Sequence, residues 1–112
     1  MNTDIALEHV DGDREFLAEL VEMFIEDYPR LIQEAKDAFM KNDPEGFERT
    51  MHTLQGRLAF FGVQKEHEKA LKLEEMGREK NLAGAGESLP EVEADMKTVM
   101  CEFESLIREQ KK

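Results

Sequence analysis

This 112-residue chain is predicted to be all-α, an up-and-down antiparallel four-helix bundle with a short additional N-terminal helix. Three observations carry that prediction. Apolar residues recur by threes and fours along four long stretches, which marks one buried stripe per helix. Turn-forming residues are confined to a few short clusters, and no strand-like alternation occurs between them. The stripes and short connections together call for antiparallel packing around one core. The chain is long enough for such a core, and residues 1–112 read as one domain.

The first helix is expected over Asp4 to Val10, before the Asp11-Gly12-Asp13 turn. The second starts after Asp13 as N-cap and runs toward Lys41, with Phe16, Leu20, Phe24, Leu31, Ala35 and Phe39 on its inner side. Pro29 removes one backbone donor inside it, which predicts a kink or a break near Ile25 to Asp27. Asp43 caps the third helix, Pro44 suits its first position, and Gly62 ends it. The fourth spans Gln64 to about Lys80, with Ala70, Leu73 and Met76 inward. Ser88-Leu89-Pro90-Glu91 has the spacing of a capping box and is expected to open the last helix. That helix buries Leu89, Val92, Met96, Val99, Phe103 and Leu106.

Composition narrows the function classes. With 26 acidic and 15 basic residues the formal net charge is −11, which argues against nucleic acid and against an anionic membrane surface as partners. No signal or membrane-spanning segment is read, and a single cysteine fits the reducing cytoplasm. Cys101, spaced from Met96, Val99 and Phe103, reads as a small packing residue on a helix flank. His9 and His67 read as surface histidines; with His52 they show no metal-ligand spacing, so neither metal nor cofactor is expected. An acidic surface without an exposed heptad seam points to a monomer, and Met1 with compact ends to a free-standing domain.

His52 breaks the pattern. Phe47, Met51, Leu54, Leu58 and Phe61 define the stripe of the third helix, and at about 100° per residue His52 falls roughly 150° from its middle. It therefore faces water. Gly56 and Ala59 lie within about 40° of it, which leaves the surface beside the imidazole nearly bare. A glycine inside a helix costs roughly 1 kcal/mol relative to alanine, so clearing space for a partner is the stronger explanation of Gly56 than helix packing. Phe60 and Val63 lie nearer the His52 side than the stripe does; half exposed there, they would suit docking, or Phe60 would fill a gap beside the second helix.

His52-Thr53-Leu54-Gln55-Gly56, followed by Phe61-Gly62, resembles the histidine phosphotransfer (HPt) domain, with its His-x-Leu-Lys-Gly pattern and later apolar-Gly pair. Phe24, Tyr28 and Leu31 on the long acidic helix, Asn42-Asp43 before Pro44, and Leu73-Glu74-Glu75 extend the likeness from about Ile5 to Leu106. The resemblance implies a phosphocarrier of two-component signalling with no ATP-dependent kinase activity of its own. His52 would accept a phosphoryl group through Nε2 from a receiver-domain aspartate and pass it to another. Its partners would be receiver domains of response regulators or of hybrid sensor histidine kinases. The receiver and its Mg²⁺ would supply most of the stabilisation of the transferring group.

Several positions bear on how well such a site works. The family's lysine three residues after the histidine is Gln55 here, and Arg49, one turn before His52, would either offset that loss or stand as a solvated arginine. Arg57 stands where the family has a small residue, but it points away from His52. An ungapped match places Glu74 in reach of the histidine, where a carboxylate accepting Nδ1–H would fix the tautomer; the alternative is a solvated glutamate. Glu66 and Lys69 occupy often apolar positions, so the fourth helix is expected to begin its packing differently. A second reading follows from Gln55: a weak or inactive HPt-like adaptor or inhibitor docking on a kinase or receiver.

Overall fold

The computed structural model describes residues 1–110. Five helices account for 83% of them, with no strand among the described residues. They are α1 (Thr3–Glu8), α2 (Arg14–Met40), α3 (Pro44–Phe60), α4 (Gln64–Arg78) and α5 (Ala85–Gln110). The last four pack in a ring, α2 on α3, α3 on α4, α4 on α5 and α5 on α2, while α1 lies against α2. Connections of three residues (41–43), three (61–63) and six (79–84) reverse the chain each time. A 27-residue helix is about 40 Å long, which accounts for the 45 × 20 × 18 Å envelope.

The helix ends follow from their sequence. The carboxylates of Asp13 and Asp43 accept from Phe16 N and Gly46 N, which satisfies backbone donors that the first turns leave free. At the end of α3, Gly62 takes φ +69°, Gly62 N donates to the Ala59 carbonyl and Val63 N to that of Leu58. Any side chain there would meet Asn2, whose backbone N also donates to the Gly62 carbonyl. This tight turn fixes α1 over the end of α3.

The core is one cluster. All five stripe residues of α3 are buried and meet Leu73 of α4, Val92, Met96 and Phe103 of α5 and Phe24 of α2. Phe24, Phe61 and Phe103 pack edge-on with ring centres 5.2–5.8 Å apart, which ties three helices together near the end of α3.

Several expectations are corrected. α5 begins at Ala85, so Ser88 lies inside the helix and opens no capping box; Glu87 N and Ser88 N already bond the Gly84 carbonyl. Of the kink or break expected at Pro29, the break does not occur: α2 is one helix from Arg14 to Met40 through the exposed Pro29. Its inner stripe passes through Leu17 and Val21, which leaves Phe16 46% exposed. Cys101 is exposed, because two residues from both Val99 and Phe103 is about 200° around the helix. Val63 is buried rather than half exposed, folded inward by the Gly62 turn.

Candidate functional site

His52 stands on the outer face of α3 with 70% of its side chain exposed, while Glu74 opposite it on α4 is almost wholly buried. The two meet at 2.9 Å between His52 Nδ1 and Glu74 Oε2. A carboxylate accepts only, so Nδ1 carries the hydrogen, and in the neutral ring the Nε2 lone pair is bare. The buried glutamate thus orients an exposed imidazole with a free Nε2 lone pair.

The seam between α3 and α4 makes this approach possible. Gly77, one turn after Glu74, lies so close to α3 that a Cβ would stand 2.8 Å from Glu48 N and 2.9 Å from Glu48 Cα. Beside it Arg78 bridges the helices, with Nε donating to Glu48 Oε2 at 3.1 Å and Nη2 to Glu74 Oε2 at 2.9 Å. Its hydrogen bond to Glu48 holds the guanidinium more firmly protonated than an ordinary arginine. Glu74 Oε1 is buried without a hydrogen-bond partner among the described residues, so His52 and Arg78 share a single oxygen.

The expected site residues divide. A Cβ at the exposed Gly56 would find no atom within 4 Å, so the space beside the imidazole is open. Gln55 is half buried and accepts from His67 Nε2 at 2.9 Å, while its amide nitrogen lies 3.5 Å from His52 Nδ1, too far to bind it well. Arg49 is exposed and its guanidinium makes no hydrogen bond or ion pair among the described residues. Arg57 pairs with Asp27 of α2. That contact first, and Arg30 second, hold the Asp27 carboxyl below its ordinary value.

Two participants escaped the sequence reading. His67 is not an isolated surface histidine but is tied to Gln55 from α4. Arg78 went unnoticed, although Glu74 and Arg78 have the i,i+4 spacing of a helical ion pair. His9 is exposed as expected, yet it stacks on Phe60 at 4.8 Å and bonds the Phe60 carbonyl through Nδ1. Lys69 shows how α4 packs with a charge in place of an apolar residue: it reaches Asp95 and Glu91 of α5. Phe60, Leu20, Met23 and Phe24 line a groove of about 570 Å³ between α2 and α3, with the Arg57–Asp27 pair on its wall.

Residues 19–100 match the family of the Hpt domain, a stretch that includes His52, Glu74, the whole of α3 and α4 and most of α2 and α5. No curated protein and no solved structure gives a match. Hpt domains are helical bundles that carry phosphoryl groups in two-component signalling, are not kinases, and interact with receiver domains. The match covers well over half of the chain, which therefore belongs to the Hpt domain family.

Proposed function

We propose that the chain is a phosphotransfer protein of a phosphorelay, which takes a phosphoryl group from a receiver aspartate onto His52 and passes it to a response regulator. The observation that carries this reading is the exposed imidazole whose Nδ1 is held by buried Glu74. In the forward step the Nε2 lone pair attacks phosphorus. The bond to the aspartyl oxygen breaks, and its electron pair returns to the receiver's carboxylate. No proton has to leave: the ring keeps hydrogen on Nδ1 and becomes cationic, and Glu74 balances that charge. The return step is the reverse, with the next aspartate attacking phosphorus and the pair returning to Nε2.

The geometry supports a role for each site residue. His52 is the phosphoacceptor, Glu74 orients it, and Gly56 leaves room for the receiver. Gln55 brings a neutral amide beside the site, and Arg49, one turn before His52, is a cation that makes no hydrogen bond or ion pair among the described residues. The α2–α3 groove, with half-buried Phe60 and 63%-exposed Met23 at its edge, offers apolar surface for a receiver. Further parts of the reading are a single domain over residues 1–112, acting as a monomer in the cytoplasm. No helix among the described residues is long and apolar enough to cross a membrane.

The test is transfer from a phosphorylated receiver to the purified protein, beside His52→Ala. Acid-labile phosphate on the wild type and none on the variant is expected. Stable receiver binding without transfer, with activity gained by Gln55→Lys, would instead establish the adaptor reading.

A further inference from the structure

We propose that Arg78 is a positioning residue of the phosphoacceptor site: bridging Glu48 and Glu74, it balances the buried carboxylate so that Glu74 orients His52 without retaining a second proton on the ring. The inference rests on His52 being the phosphoacceptor. Its starting point is the unequal treatment of Glu74, whose Oε1 is buried without a partner among the described residues while Oε2 receives both the His52 Nδ1 hydrogen and Arg78 Nη2.

A buried carboxylate is stable only with compensating positive charge and hydrogen bonds. His52 can supply that charge by taking a proton on Nε2, but an imidazolium has no lone pair with which to attack phosphorus. Arg78 supplies it instead, permanently and without a proton equilibrium of its own near neutral pH. Its position is fixed from both sides of the seam, by Glu48 of α3 at 3.1 Å and Glu74 of α4 at 2.9 Å, beside the contact that Gly77 allows. The charged groups around the pair are Glu48 and Arg49 from α3 and Glu75 and Arg78 from α4, with Glu75 adding to the field at Arg78. His67 bonds Gln55 Oε1.

The same charge acts after transfer. A ring with hydrogen on Nδ1 and phosphorus on Nε2 is cationic; Glu74 favours it and Arg78 opposes it, which eases onward passage to the next aspartate.

The experiment follows the ring ¹⁵N shifts of His52 with pH in wild type, Arg78→Gln, Arg78→Lys and Glu48→Gln, beside transfer from a phosphorylated receiver at pH 7 and 9. Arg78→Gln is expected to raise the ring's proton affinity about tenfold. It should slow acceptance about threefold at pH 7 but not at pH 9, where more phosphate should rest on His52 at equilibrium than in wild type. Arg78→Lys restores the wild-type titration. Glu48→Gln, which leaves Arg78 to Glu74 alone, moves it the opposite way and serves if Arg78→Gln does not fold. Unchanged ring titrations, or an equal loss of transfer at both pH values, would overturn the assignment. The expected titrations in a wild type that accepts no phosphate would support the charge balance and remove the carrier reading alone.

Discussion

Gly56→Ala is expected to make the protein more stable and less active. Gly56 lies in the interior of α3, is exposed, and would place a Cβ in open space with nothing within 4 Å. The substitution therefore meets no clash and gains no contact, and only helix propensity acts, worth about 1 kcal/mol in favour of alanine. For a domain of this size that is a rise in melting temperature of about 4 °C. Gly77→Ala is the internal control, the same chemical change in the opposite environment. Its Cβ would stand 2.8–2.9 Å from backbone atoms of Glu48, so α3 and α4 must separate. Overpacking of this kind costs about 1–3 kcal/mol, more than the propensity near a helix end returns. Thermal melts followed by far-UV circular dichroism compare the two, and receiver-to-protein transfer measures the cost at Gly56. Acceptance should fall about tenfold for alanine and further for leucine, because a receiver must approach over this surface. A Gly56→Ala protein less stable than wild type, or a Gly56→Leu protein transferring at the wild-type rate, would refute the reasoning.

Glu74→Ala removes the group that holds the Nδ1 hydrogen, and should slow acceptance by roughly 10- to 100-fold; ¹⁵N spectra should show both neutral tautomers of His52 in place of one. Phe60→Ala opens the α2–α3 groove without touching His52, so titration calorimetry should show receiver binding weakened by about 2 kcal/mol. Transfer at saturating receiver should stay near the wild-type rate. Acid stability should depend on Lys69, whose hydrogen bond lowers the Asp95 carboxyl below its ordinary 3.8. A lowered folded value means that this contribution is present above about pH 4 and is lost as pH falls through the folded value. Lys69→Met should therefore lower the melting temperature at pH 6 and converge on wild type near pH 2.

The parts of the fold legible in the sequence are those set by local or periodic signals. The stripe from Phe47 to Phe61 needs only the helical repeat, and Asp13 and Asp43 act within their own first turns. His52 was readable for the same reason, since facing water is the complement of the buried stripe. Glu74 needed a family resemblance, because a carboxylate beside a second one carries no periodic mark of burial. Errors arose where two local signals compete. The Ser88 box is well formed, but Leu82 to Gly84 turns the chain earlier, and Ala85 N already bonds the Leu82 carbonyl. Phe16 and Leu17 are both apolar at the start of α2, and only packing into the shared core selects Leu17. Arg78 and the His67–Gln55 contact belong to the α3–α4 seam, and long polar side chains meet there according to how closely the backbones approach.

That seam also bears on the missing lysine. A lysine three residues after His52 would add a mobile charge at the surface, whereas Gln55 is held by His67 and brings no charge. Of the other arginines, Arg57 is committed to Asp27 and Arg78 to Glu48 and Glu74, which leaves Arg49 unpaired among the described residues. Two of these three arginines are thus neutralised by the protein's own carboxylates, on a chain of net charge −11. Long-range attraction contributes little to a phosphorylated receiver's approach under those conditions. On the proposed reading, the apolar groove between α2 and α3 supplies most of the affinity for a receiver, and the receiver most of the charge that the moving phosphoryl group requires. Gln55 is consistent with that division, because it leaves His52 presented and oriented while the electrostatic work falls to the partner.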